Sequence, residues 1–236
     1  MELAVEWLGR IDYRAAWARQ HALVAARAAD DLPDTLLLLE HPPVLTLGRQ
    51  ADASHVRASA TELAESGIEL IRVERGGEVT YHGPGQLVAY PIVRLAERGV
   101  LLRPFVRALE AAMAATCAAY GVAAGRRDGQ PGCWVDPHGP APRKIGALGI
   151  RVERGVSFHG IALNVTTRLD DFALIDPCGM PDVAVTSIAA EAGWADAMPT
   201  TASVRDAADH FAAAFVEALD AAAEGATSPA PAQAAS

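Results

Sequence analysis

The sequence predicts a mixed α/β fold of the α+β kind, and three observations predict it. Strand-like and helix-like segments are interleaved irregularly, without the regular β-then-α alternation of a doubly wound parallel sheet. Three successive segments, Gly132–Val135, Lys144–Val152 and Ser157–Val165, read as consecutive strands of an antiparallel sheet. The 236 residues are 51% hydrophobic, which is ample for a substantial core.

Taken in order, Glu2–Leu8 alternates enough to be a strand, and Tyr13–Ala28 carries apolar residues at helical spacing behind a capping residue, Asp12. Asp31-Leu-Pro-Asp34 turns the chain into the apolar strand Thr35–Glu40. His41-Pro-Pro43 interrupts that strand, and Val44–Leu47 forms another before Gly48. Thr61–Ser66 is expected as a short helix and Ile68–Val73 as a strand. Arg75–Gln86 is too rich in glycine for a regular element and is expected as a structured loop feeding the strand Leu87–Val93. Arg103–Tyr120 is the central helix, with Pro104 suited to its first turn. Four prolines in residues 129–142 make that stretch a loop around a short strand, and Asp176–Pro181 is another loop. The last helix, Val204–Ala223, aligns Val204, Ala208, Phe211, Phe215 and Leu219 on one face. Residues 1–223 are expected as a single domain, followed by a disordered Ala/Pro/Ser tail, 224–236.

Bulk properties exclude several classes. A net charge of −9 disfavours general nucleic-acid binding, whose affinity rests on neutralising phosphates. No apolar run approaches the roughly 18–20 residues of a membrane span, and the acidic N-terminus does not read as a signal peptide. Three cysteines without a CxxC pair argue against a disulfide framework and for a cytoplasmic setting. No metal-ligand spacing and no Gly-x-Ser-x-Gly elbow occurs.

Three features carry chemistry. Arg75–Pro91 holds four glycines within its first eleven residues, which permits close backbone approach to a ligand; without a Gly-Lys-Ser/Thr or a following helix it is a poor phosphate loop. On local pattern it is either an elaborate turn or a pocket wall. Cys178, in Pro-Cys-Gly-Met-Pro, is placed to expose a thiol, whereas Cys117 and Cys133 sit in apolar contexts suited to packing. Lys144 is the single lysine beside nineteen arginines. An ammonium there would stabilise a thiolate, and its amine form would take a proton, which arginine does not do at ordinary pH. Spacing alone does not bring Lys144 and Cys178 together.

Taken together these segments resemble the lipoyl(octanoyl) transferases. The family pattern Arg-Gly-Gly-x-x-Thr-x-His-Gly-Pro-Gly-Gln-x-x-x-Tyr-Pro is matched without a gap by Arg75–Pro91. The match continues in Lys144–Val152, in Phe158-His-Gly-Ile-Ala-Leu-Asn164, in Pro177-Cys-Gly179 and in Thr186-Ser-Ile188. The resemblance implies the biotin/lipoate-protein ligase-like fold, with a larger mixed sheet and a small second sheet flanked by helices. It implies a catalytic dyad of Cys178 and Lys144, an octanoyl-cysteine thioester intermediate, and no cofactor, metal or ATP. Acyl-binding positions fall by the same resemblance on Arg75, Gly76, Gly77, Glu78, Val79, Thr80, Tyr81 and His82, on Ala147, Leu148 and Gly149, and on Gly160, Ile161 and Ala162. The implied partners are octanoyl-acyl carrier protein as donor, and lipoyl domains of 2-oxoacid dehydrogenase complexes and the glycine cleavage H protein as acceptors. Because such partners are typically acidic, docking is expected on arginine patches: Arg143, Arg151 and Arg154, and Arg94, Arg98, Arg103 and Arg107. The rival readings are an ATP-dependent ligase of the same fold, a catalytically idle acyl- or lipoyl-protein-binding homologue, and, third, a cysteine hydrolase.

Overall fold

The computed structural model describes residues 2–180, 183–194 and 201–227, with the side chains of Cys178, Thr201, Ala202 and 225–227 outside that description. The first strand, β1 (Leu3–Arg10), leads into α1 (Tyr13–Ala28), whose start is fixed by Asp12: its carboxylate accepts from the Ala15 N–H at 3.0 Å. Tyr13, Ala16, Gln20, Val24 and Arg27 recur at three- and four-residue spacing and form the buried face of α1. Two strands follow, β2 (Asp34–Glu40) and β3 (Val44–Leu47), and then α2 (Ala60–Glu65), begun by a reciprocal Ser59–Glu62 capping box. After β4 (Glu69–Arg72) come β5 (Val79–His82) and β6 (Gln86–Ile92), the long helix α3 (Leu102–Ala119), and the meander β7 (Ala124–Arg127), β8 (Gln130–Val135), β9 (Arg143–Glu153) and β10 (Val156–Asn164). The described chain ends with β11 (Ala184–Val185), α4 (Ile188–Glu191) and α5 (Thr201–Thr227).

These strands make two sheets. The larger is mixed, in the order β1-β2-β6-β10-β9-β8-β7, with β11 added parallel to the start of β9. The smaller has the order β4-β3-β5. Since β2 and β3 belong to different sheets, His41-Pro-Pro43 is the point at which the chain crosses between them. One face of the large sheet is covered by α3 and α5, where Phe105, Leu109, Met113, Phe211, Phe215 and Leu219 pack against Leu36, Leu87, Ile145 and Leu163. On the other face, Ala16 of α1 packs on Leu37, Leu39 and Val88.

The antiparallel run predicted from the sequence is present as β8, β9 and β10. The expectation of a structured loop without a regular element over Arg75–Gln86 is corrected: β5 lies inside it, because Val79 and Tyr81 alternate inward and the strand pairs with β3. The short elements β7, β11 and α4 also escaped the sequence reading. The last helix runs to Thr227, so the tail expected from residue 224 is helical over its first four positions; residues 228–236 lie outside the described part.

Candidate active site

A cavity of about 240 Å³ lies between the large sheet and the small one. Its floor is Ala147, Leu148 and Gly149 of β9 with Gly160, Ile161 and Ala162 of β10, and its roof is Arg75, Gly77, Glu78, Val79, Thr80 and His82. Of the acyl-binding positions taken from the resemblance, all but Gly76 and Tyr81 line it. Gly76 instead donates its N–H to the Ile150 carbonyl at 3.2 Å and ties roof to floor. Tyr81, on the opposite face of β5 from Thr80 and His82, packs in a separate apolar cluster and donates its hydroxyl to Asp171 at 2.7 Å.

The glycines do a different job from letting an alkyl chain pass close to backbone. A Cβ on Gly149 would lie 2.6 Å from the Gly76 carbonyl oxygen, and one on Gly160 would collide with the Ala89 carbonyl. The space is taken by the protein's own main chain, so glycine is required there for close packing of neighbouring segments.

Lys144 opens the floor on β9 and is 6% exposed. Its Nζ donates to the Pro131 carbonyl at 3.1 Å and sits 5.0 Å from the centroid of the Trp134 ring. Glu110, a buried carboxylate on α3, accepts from the Gly132 N–H at 3.1 Å and so holds the strand whose carbonyl receives Lys144. Burial raises the Glu110 pKa, against the pull of that N–H and of Lys144. Glu110 was not singled out from the sequence, although a lone acidic residue on the buried face of an otherwise apolar helix is a readable signal.

Cys178 lies in a 3-10 turn, Pro177–Gly179; its side chain is outside the described residues, so only its setting is given. Asp176, just before it, donates its backbone N–H to the His55 carbonyl at 2.8 Å and pairs through its carboxylate with Arg57. Downstream, Val185 of β11 pairs with Lys144 itself, and the Thr186 N–H donates to the Lys144 carbonyl at 3.0 Å. Met180 lines the cavity together with Lys144, and Pro177 shares an adjoining crevice with Lys144. The residues on both sides of Cys178 therefore share walls with Lys144. Cys133 is fully buried on the α3 side of the sheet and lines no part of the cavity; its thiol pKa is pushed up by the hydrogen-bonded Cys117 thiol and by burial.

The end of the cavity away from Lys144 is unexpectedly polar. Tyr13, Tyr90 and His159 line it with Arg75 and His82. Arg75 is held by Thr46, through its carbonyl at 2.6 Å and hydroxyl at 2.9 Å, and His82 Nδ1 lies 2.8 Å from Gln86 Oε1. His41 bridges Ile11 and Tyr90, at 2.7 and 2.9 Å. Burial lowers the pKa of each of these imidazoles, His41 to about 4, and keeps them neutral near pH 7. Sequence reasoning missed Tyr13, Tyr90 and His159, because nothing local marks residues that meet only through the sheet register.

Of the seven arginines in the expected patches, three are paired with carboxylates. Arg98 is bound to Asp34 at 2.5 Å, Arg94 to Asp30 at 2.6 Å, and Arg143 to Glu191 at 2.8 Å. Arg103 and Arg107 on α3 and Arg154 in the turn between β9 and β10 remain exposed.

A cavity with a lysine in its wall and a cysteine turn beside it, between a large mixed sheet and a small one, is the arrangement of an α/β enzyme site. The chain belongs to the family described as the lipoyl protein ligase A/B catalytic domain, whose model matches residues 12–216. It is 48% identical over 201 residues to an octanoyltransferase of Chloroflexus aurantiacus, covering 85% of this chain and 89% of that one. It is 46% identical over 217 residues to an octanoyltransferase of Mycolicibacterium gilvum, covering 92% and 85%. The fold is shared with a bipartite lipoate protein ligase from Thermoplasma acidophilum at a TM-score of 0.63 and 15% identity, covering 95% of this chain and 91% of that one. The resemblance carried by Arg75–Pro91 and the later segments is thereby borne out, as is the two-sheet architecture it implied. Among the described residues no helix is long and apolar enough to cross a membrane.

Proposed function

We propose that the chain is an octanoyltransferase of lipoate biosynthesis that works through a thioester on Cys178, with Lys144 as its proton carrier. The donor is octanoyl-acyl carrier protein and the acceptor is a lysine of a lipoyl domain. The observation that carries this reading is that Lys144 lines the cavity with Met180 and an adjoining crevice with Pro177, the residues that flank the Cys178–Gly179 pair, with β11 stitched to Lys144 just downstream.

In the first step the Cys178 thiolate attacks the thioester carbonyl, the bond from that carbon to the carrier sulfur breaks, and the carrier leaves as its thiol with the proton given up by the Lys144 ammonium, which is left neutral. The ammonium of Lys144 favours the thiolate form of the attacking sulfur. In the second step an incoming ε-amine attacks the octanoyl-cysteine carbonyl. The new C–N bond forms, the C–S bond to Cys178 breaks, and the proton released by the amine passes to Lys144 in its neutral form. One thioester replaces another before the downhill step to an amide, so no nucleotide is consumed.

Intact mass spectrometry after incubation with octanoyl-carrier protein and no ATP tests the reading. Wild type is expected to gain one octanoyl group, absent in Cys178→Ser. An unmodified wild-type chain refutes the thioester, and a requirement for ATP favours the ligase alternative.

A further inference from the structure

Lys144 reaches the cavity through a break in the strand pattern. Trp134 of β8 lies opposite Lys144 of β9, but Cys133, one residue back, lies opposite Gly146, so Ile145 is the extra residue of a β-bulge. Ile145 belongs to the apolar core under α3 and α5, and a Cβ on Gly146 would meet Met113 Sδ of α3 at 2.7 Å. Two successive residues thus face the helix, while Lys144 and Ala147 on either side of them both line the cavity. Strict alternation would place positions 144 and 147 on opposite faces and turn the lysine toward α3.

A bulge disrupts the backbone ladder around it. Beside this one, the Gly132 N–H is met from outside the sheet, by Glu110 Oε1 of α3 at 3.1 Å. The carbonyl of the same peptide unit, that of Pro131, accepts from Lys144 Nζ at 3.1 Å. Glu110 and Lys144 therefore hold a single peptide plane from its two ends, and each bond polarises the peptide in favour of the other. Gly132, with φ 127°, lies against the lysine stem: a Cβ there would stand 3.1 Å from Lys144 Cε and 2.4 Å from the Gly146 carbonyl oxygen. The carboxyl itself is expensive to keep. It shares the buried face of α3 with Leu109, Ala112 and Met113, and burial pushes its pKa up.

We propose that Glu110 is a positioning residue for acyl transfer, which fixes the Pro131–Gly132 peptide so that its carbonyl holds the Lys144 amine in the cavity wall. This deepens the Cys178–Lys144 reading and rests on it, because Glu110 acts only through Lys144. The acceptor oxygen is what matters: without it the peptide is free to turn, and its carbonyl no longer defines where Nζ stands.

Two variants of the full-length chain test the proposal. Glu110→Met is close in length and suits a helix but offers Gly132 no strong acceptor, whereas Glu110→Gln keeps an accepting oxygen. Octanoyl transfer by Glu110→Met is expected to fall about 10²-fold in kcat, with KM for the carrier protein unchanged. Glu110→Gln is expected to keep most of the wild-type rate. An unchanged kcat in folded Glu110→Met overturns the proposal, and so does a Glu110→Gln as slow as Glu110→Met, which would assign the effect to charge. A double-mutant cycle on the rate at which iodoacetamide alkylates Cys178 near neutral pH, read by peptide mass, separates positioning from general loosening of the strands. Lys144→Ala is expected to slow alkylation about tenfold by withdrawing the cation that favours the thiolate. Glu110→Met is expected to slow it as well, and to add nothing in the Lys144→Ala background. Additive losses would make the role of Glu110 purely structural and overturn the assignment. Alkylation unaffected by Lys144→Ala would refute the dyad itself; alkylation slowed by Lys144→Ala but not by Glu110→Met would refute only the positioning role. If Glu110→Met does not fold, Glu110→Asp, whose carboxylate is drawn back by one methylene, takes its place in both comparisons.

Discussion

The two faces of the large sheet are both buried but differ in chemistry. Toward α3 and α5, β2 and β6 present Leu36, Leu38, Leu87 and Ala89 to Phe105, Met113, Phe211 and Phe215. Toward α1 and the small sheet lie Gln20, Thr46, Arg75, His41, His82 and His159, all buried. The first face stabilises chiefly through apolar area, whereas the second must satisfy each of the many polar atoms it buries. The difference assigns stability to one face and chemistry to the other, and the two should separate under mutation.

The sharpest separation is expected at Lys144. Lys144→Arg keeps a cation in the cavity and removes a group that readily gives up a proton. Transfer of octanoyl to a lipoyl domain is expected to fall by about 10²–10⁴-fold, with the melting temperature little changed. A variant that transfers at the wild-type rate would refute the proton-carrying role.

Phe215→Ala should behave in the opposite way. Phe215 is fully buried, stacked on Phe211 at 5.9 Å and edge-on to Phe105 at 6.0 Å. Its truncation is expected to cost about 3–5 kcal/mol by chemical denaturation, while activity per folded molecule persists. A large loss of kcat in the folded fraction would mean that the faces are coupled and the contrast drawn here is wrong.

Acid should act on the polar face through its buried imidazoles. The folded pKa of His41, about 4, lies below its ordinary 6.5, so the unfolded chain binds a proton that the folded one refuses. That contribution is fully present above pH 6.5 and is lost as pH falls through 4. For His41 alone it amounts to about 3 kcal/mol between pH 7 and 4, and burial of His82 and His159 acts in the same direction. A denaturation midpoint that stays flat across this range would show that the imidazoles are not held neutral.

How much of this was legible in the sequence follows the range of the interactions. Asp12 and the periodic face of Tyr13–Ala28 announce α1, because capping and amphipathic spacing are local. The strand β5 was hidden between glycines, although Val79 and Tyr81 inward with Thr80 and His82 toward the cavity is a period-two pattern. The gapless Arg75–Pro91 pattern pointed to most of the cavity roof through family resemblance. Tyr13, His41, Tyr90 and His159 come from separate parts of the chain and meet only through β-sheet register and the packing of α1, which no single-sequence pattern encodes. The pairing of Arg98 was hidden for the same reason: Asp34, 64 residues away, meets it only in the fold.

The paired glycines Gly149 and Gly160 carry a consequence for how this enzyme can diverge. Backbone from other segments already occupies the positions their side chains would take. Selection therefore cannot narrow the bore by the common route of enlarging a glycine. The adjustable calibre is left to Ala147 and Ala162, which face each other across β9 and β10 and line the cavity. Descendants with shorter-chain preferences should show their changes at that alanine pair, with the glycines untouched.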